Sequence, residues 1–326
     1  MTLYEKSVLV PLGAEETFAL ITQPDRLRRW QAITARVDLR AGGTYRWTII
    51  PGHTACGSFI EIEPGKRVVF SWGWEDSEDL PPGASTVTVT LEPAEGGTLV
   101  RLVHDGLTGE QAASHAEGWS HYLDRLVTVA SQGDAGADEW AAVPQPLDAI
   151  SSAEATLAVC QLVLRGIPES AYSDPTVVCP KFTIAELAEH LIGSVQFFGY
   201  EAGAQFPDAP AATLEARVAA VAQPTLEAWH DRGLDGIISL GPHPMPAATA
   251  LGIVSIEFLV HAWDFAQATG QQVVVSDALA EHVLQLAHKI ITPEARGGGS
   301  SFADEVPVDP DAQVMDRLIA FTGRAA

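Results

Sequence analysis

Positive charge is scarce in this chain. Its 326 residues include 19 Lys and Arg against 42 Asp and Glu, a formal charge of −23. That balance repels phosphate backbones and anionic lipid headgroups, so neither nucleic acid nor a membrane surface is an expected partner. Cysteine is scarce as well. Cys56, Cys160 and Cys179 are odd in number and far apart, which gives no disulfide framework and no paired-thiol zinc site. A reducing cytoplasm is the expected compartment. Residues 1–12 carry Glu5 and Lys6 and lack the apolar core of a signal peptide. No window of about 18 apolar residues is free of polar side chains, as a membrane span would be. The nearest, Ala247–Ala268, contains Glu257, His261 and Asp264. Phosphate loops, dinucleotide fingerprints and Ser-His-Asp spacings are missing too.

Material for packed cores is plentiful. Hydrophobic residues make up 47% and charged residues 19%, and the length suits two domains of ordinary size. The first domain is expected over residues 1–135. Ala14–Trp30 carries a helical stripe broken at Pro24. Short β-rich runs follow: Ala35–Leu39, Thr44–Ile50, Gly57–Ile62, Arg67–Trp74, Ser85–Glu92 and Thr98–His104. Thr86–Leu91 alternates with period two, the pattern of a strand with one wet and one buried face. A last helix is expected over Glu110–Ser131, with Trp119, Leu123 and Leu126 on one face. The expected fold class is α+β, an antiparallel sheet curved around a long helix, an architecture that can leave a cavity between the two layers. Trp47, Trp72, Trp74 and Trp119 would line such a cavity, with His104 as its polar handle. The competing reading makes the tryptophans plain core. The acidic run Glu75–Asp79 reads as a solvated turn.

Residues 136–146, small, polar and ending in Pro144 and Pro146, read as a linker. From 147 to 326 the pattern is helical. Ile150–Arg165 is amphipathic. Thr183 and Glu186 have the spacing of a capping box, with Phe182 and Leu187 as its hydrophobic staple. The helix they start carries His190 on what reads as its inward face. Leu214–Asp231 contains Pro224 as a kink or early break, Gly241–Pro246 reads as a loop, and Asp277–Ile290 and a final helix close the chain. The helix Ala247–Ala268 is apolar on every side, the mark of a buried helix. Glu257 and His261 lie one turn apart on it. A buried carboxylate and imidazole are costly unless neutralised. Two readings are open: a mutual hydrogen bond, or a shared divalent metal, for which both are good zinc ligands. Facing helices of an antiparallel bundle could supply a third ligand. His243 is a reserve candidate.

Two family resemblances follow. Ala14–Phe18 through Trp30, Gly42–Tyr45, Gly57–Pro64, Phe70–Trp72, Ser85–Val89, Gly97–Thr98 and His115–Trp119 resemble the SRPBCC, or START-like, superfamily, in the branch of the activator of the ninety-kilodalton heat-shock ATPase. This implies a helix-grip fold and an apolar or aromatic small molecule as partner. It leaves a carrier or sensor role, or a cochaperone role, as alternatives to catalysis. Phe182–Leu191, Gly241–Pro246, Glu257–Ala266, Ala268–Gly270 and Asp316–Arg324 resemble the DinB-like bundle family, in the branch of mycothiol-dependent maleylpyruvate isomerase. This resemblance implies a divalent metal, usually zinc, on His190, Glu257 and His261. It also implies a low-molecular-weight thiol such as mycothiol as cofactor, which adds to an activated double bond, permits rotation and leaves. Three ligands leave one coordination position open, as in catalytic zinc sites. A homodimer is a further expectation.

Overall fold

A computed structural model describes residues 2–177, 181–206, 211–240, 243–297, 302–309 and 311–325. Cys179 lies outside them, as does the side chain of His243. The chain divides into two compact units, Met1–Asp138 and Glu139–Ala326.

In the first unit, the alternation at Thr86–Leu91 becomes a strand whose valines and Leu91 are buried while the threonines between them stay half-buried. The elements are β1 (Thr2–Val10), α1 (Ala14–Thr22), α2 (Pro24–Leu27), β2 (Thr34–Val37), β3 (Thr44–Ile50), β4 (His53–Glu63), β5 (Arg67–Trp72), β6 (Ser85–Ala94), β7 (Gly97–Leu107) and α3 (Gly109–Gln132). Pro24 does break the opening helix, standing at the first position of α2, where its missing N–H costs nothing. The strands form one seven-stranded antiparallel sheet in the order β1-β7-β6-β5-β4-β3-β2. β2 to β7 are thus a plain meander, and the N-terminal strand closes it beside β7. α3 starts on a Thr108–Gln111 capping box and ends on Gly133 at φ 84°, a left-handed conformation suited to glycine. Its Trp119, Leu123, Leu126 and Val129 are buried in the same core as the sheet's Trp47, Phe59, Phe70 and Trp72. A mixed α/β unit with this sheet and long helix is consistent with a helix-grip fold.

The second unit contains α4 (Ala149–Arg165), α5 (Ile184–Ala202), α6 (Leu214–Arg232), β8 (Ile237–Leu240), β9 (His243–Pro246), α7 (Ala247–Thr269), α8 (Asp277–Ile290) and α9 (Val314–Phe321). Helices α4 to α7 pack as a ring, with α4 and α5 each against both α6 and α7, and α8 then joins α7 to α9. The Thr183–Glu186 capping box is present, with Thr183 Oγ1 accepting from the Glu186 N–H and Glu186 Oε2 from the Thr183 N–H. Pro224 sits inside a continuous α6 rather than ending it. Of the expected loop at 241–246, His243–Pro246 is instead one strand of a hairpin, β8 with β9, and residues 241 and 242 lie outside the described residues. Pro244 and Pro246 pass because a spacing of two puts both missing N–H groups on the side away from the partner strand. α7 is long and apolar enough to cross a membrane by composition, but most of it is buried inside the protein.

Candidate functional site

α7, buried along most of its length and packed against α4, α5 and α8, supplies most of the site. One turn separates Glu257 from His261, and their Oε2 and Nε2 atoms stand 3.5 Å apart. Packing of α5 against α7 brings in His190, so that one ligand atom from each of His190, Glu257 and His261 lies within 4.8 Å of the others. The rings of His190 and His261 meet edge to face, with centroids 5.3 Å apart. Phe182, just outside the α5 cap, stacks on His190 with ring centroids 5.6 Å apart. His190 is not inward as its helical position suggested. It is exposed, Glu257 is half-buried and His261 is buried. His190 flanks the buried stripe of Leu187, Leu191 and Val195 rather than lying within it, so one side of the cluster faces solvent.

Electrostatics hold the inner end. Asp264 Oδ2 accepts a hydrogen bond from His261 Nδ1 at 2.9 Å. Arg324 clamps the same carboxylate, Nε on Oδ1 and Nη2 on Oδ2, both at 2.8 Å. Burial disfavours the His261 cation, but the hydrogen bond to Asp264 and the charge of Glu257 beside it outweigh that and carry the imidazole up to about 9 in the metal-free protein. Burial likewise pushes the Glu257 carboxyl up. The adjacent His261 imidazolium, with the Ser194 hydroxyl, prevails and leaves it below the usual carboxylate range. His190 is pushed down, first by burial and then by His261.

A divalent ion fits these residues. Glu257 Oε2 is buried and, although it pairs in charge with His261 Nε2 at 3.5 Å, makes no hydrogen bond among the described residues, an expense that an ion would remove. With Nδ1 committed to Asp264, His261 has Nε2 as its free ligand atom. One carboxylate oxygen and two imidazole nitrogens are a donor set suited to zinc.

The first unit's candidates fall together too. Trp47, Trp72 and Trp119 are buried and Trp74 is half-buried. Trp72 meets Trp119 at 5.2 Å, Trp74 at 5.5 Å and Trp47 at 6.5 Å. His104 is fully buried among them, with both ring nitrogens in use. Nδ1 accepts from Trp119 Nε1 at 3.0 Å, so Nε2 carries the proton and donates to Ser85 Oγ at 2.9 Å. Burial, with the neighbouring His115 second, pushes it down to about 3. Trp47 Nε1 is buried with no acceptor among the described residues. The acidic turn is not wholly solvated. Glu75 is half-buried and takes a bidentate pair from the buried Arg46, at 2.8 and 2.6 Å.

Sequence reasoning missed the roles of Asp264, Ser194 and Arg324. Asp264 had a signal, since a carboxylate three residues after a helical histidine shares its face. Ser194, one turn beyond His190, had a weaker one. Arg324 had none, because nothing in the sequence joins it to a residue 60 positions earlier.

Known proteins resemble parts of this chain. The profile of the family described as Activator of Hsp90 ATPase homolog 1-like protein, AHSA1, matches residues 12–131. A solved AHSA1-like protein from Rhizobium etli is 38% identical over 43% of this chain and 88% of that one, with a TM-score of 0.36. The Aha1 dimer from Colwellia psychrerythraea is 19% identical over 41% of this chain and 98% of that one, with a TM-score of 0.37. An uncharacterized protein from Mycobacterium tuberculosis strain H37Rv is 34% identical over 151 residues, 45% of this chain and 81% of that protein. The profile match makes the first unit AHSA1-like over residues 12–131.

Proposed function

We propose that the second unit is a DinB-like domain that binds a divalent metal, zinc by its donor set, through His190, Glu257 and His261. In this reading it serves thiol-dependent chemistry of the isomerase or transferase kind, with mycothiol or a similar small thiol as cofactor. The observation that carries the reading is the graded exposure of the three ligands around a buried carboxylate oxygen that makes no hydrogen bond among the described residues. A structural zinc site is closed on all sides by protein; here the His190 side is open to solvent. A metal bound there supplies Lewis acidity and lowers the pKa of a coordinated thiol or water. The chain's own residues do the rest. Glu257 contributes negative charge at the cluster, His261 is held by Asp264, and Phe182 fixes the ring of His190 by stacking.

The first unit, in the same proposal, receives an apolar or aromatic small molecule. Trp47 supports this, because its buried N–H has no acceptor among the described residues and would suit a ligand carbonyl or hydroxyl. A Trp47→Phe variant that binds an apolar fluorescent probe as well as the native protein does would end that assignment.

Metal content, measured by mass spectrometry on tag-free protein and on His261→Ala, tests the second unit. About one zinc or similar ion per chain, lost in the variant, is the expected result. Absence of metal after reconstitution would remove the site and leave Glu257 and His261 as a buried ion pair. Turnover of a small thiol with an activated alkene then separates catalysis from mere binding.

A further inference from the structure

We infer that Asp264 and Arg324 form a positioning pair for the metal site, through which the segment after α9 sets the affinity of a site built on α5 and α7. The inference rests on the metal reading above and adds two residues that touch no metal.

The Asp264 side chain is wholly buried, and each of its oxygens is spoken for. Oδ1 takes Arg324 Nε; Oδ2 takes both Arg324 Nη2 and His261 Nδ1. A carboxylate gripped in this two-pronged way cannot rotate, because turning it breaks both arginine bonds. Its fixed Oδ2 therefore fixes the His261 ring, and with it the direction of Nε2 toward Glu257. It also fixes the tautomer, since the proton must sit on Nδ1. Histidine ligands oriented by a carboxylate hold metals more tightly, and loss of such a partner typically costs 10- to 100-fold in affinity.

Arg324 has a second task. Without it, Asp264 would be a buried carboxylate whose charge is answered only by a histidine that must itself be neutral to bind metal. With it, Asp264 is neutralised permanently. The two carboxylates and one guanidinium then leave a single net negative charge for a dication to meet. The position of Arg324 is set from α8. Phe321, three residues earlier, lies under the Arg296 guanidinium at 4.5 Å and against the edge of His288 at 4.2 Å, and Arg317 pairs with Glu281 at 3.0 Å. Docking of α9 on α8 thus delivers the clamp to α7.

The test uses the full chain as Asp264→Asn, Arg324→Ala and Arg324→Lys. Zinc affinity is read by competition with a chromophoric chelator, cobalt(II) is added for its visible absorption, and thermal unfolding of the metal-free forms is recorded alongside. Asp264→Asn keeps the shape but, in either amide orientation, turns an NH2 group against an arginine donor. Expected are a 10- to 100-fold loss of zinc affinity in Asp264→Asn and in Arg324→Ala, a changed cobalt spectrum in both, and partial recovery in Arg324→Lys, which keeps the charge without the fork. A purely structural pair would lower the melting temperature and leave the affinity and spectrum of the folded protein alone. If Asp264→Asn does not fold, the two Arg324 variants decide. Affinities within twofold of the native protein overturn the pairing while the metal site stands. A native protein that takes up neither ion overturns both.

Discussion

Two histidines, one in each unit, are buried to nearly the same degree: His104 is 0% exposed and His261 6%. Their chemistry is opposite. His104 meets an indole N–H and a hydroxyl, both neutral, so burial prevails and the ring is held neutral, down to about 3. His261 meets two carboxylates, which overcome the same burial and carry it up to about 9. Burial alone therefore says little about what a histidine is for. A satisfied histidine among neutral partners behaves as a core residue, whereas one set between two carboxylates, with only one of its nitrogens in a hydrogen bond, behaves as a site in waiting.

The contrast can be broken most directly by exchanging roles. His261→Ala is expected to reduce bound metal from about one ion per chain to less than a tenth of that, while His104→Gln leaves metal content unchanged; elemental mass spectrometry on both variants reads the difference. The next effect is on pH dependence. In the unfolded chain His104 takes up a proton as pH falls through about 6.5, whereas in the folded protein it resists until about 3. Its folded value is depressed, so its contribution is complete above about pH 6.5 and is lost as pH falls toward 3, at up to about 1.4 kcal/mol per pH unit. Urea unfolding between pH 7 and 4 should show a flatter acid limb in His104→Gln than in the native protein. Equal slopes would mean that the histidine titrates in the folded state.

Smaller changes sharpen the same contrast. Trp119→Phe removes the donor to His104 Nδ1 and leaves a buried acceptor unpaired, a cost of about 1–3 kcal/mol in the unfolding of the first unit, with no change in metal affinity. Thr183→Ala removes the side chain that caps α5 and should cost about 1 kcal/mol. Its effect on zinc affinity is expected to stay below tenfold, because His190 lies two turns into the helix. Calorimetry with chelator competition reads both quantities in one preparation.

Much of this molecule could be read before its coordinates. The strand at Thr86–Leu91, the break at Pro24, the Thr183 cap and the buried character of α7 each follow from local pattern, where periodicity and capping chemistry leave little choice. The pairing of Glu257 with His261 is local for the same reason. What stayed hidden was non-local or geometric. The exposure of His190 depends on how far round α5 the neighbouring helices reach, which a stripe of leucines and valines does not specify. The β8–β9 hairpin hid behind prolines that are harmless only on an outward-facing side. Arg324 is invisible in principle, since a contact across 60 residues is a property of the packed bundle. In the first unit, the tryptophans were legible as apolar, but the hydrogen bonds that close His104 into them were not.

α7 has a further consequence outside the folded state. Its 23 residues are long and apolar enough to cross a bilayer. An unfolded or nascent chain therefore presents a segment that insertion machinery and aggregation both favour. A charged side chain near the middle of such a segment costs on the order of 2.5–3.5 kcal/mol to insert, and Glu257 and Asp264 are two of them. The carboxylates that shape the site in the finished protein thus also bias the chain, while it is still being made, toward its own core and away from the lipid.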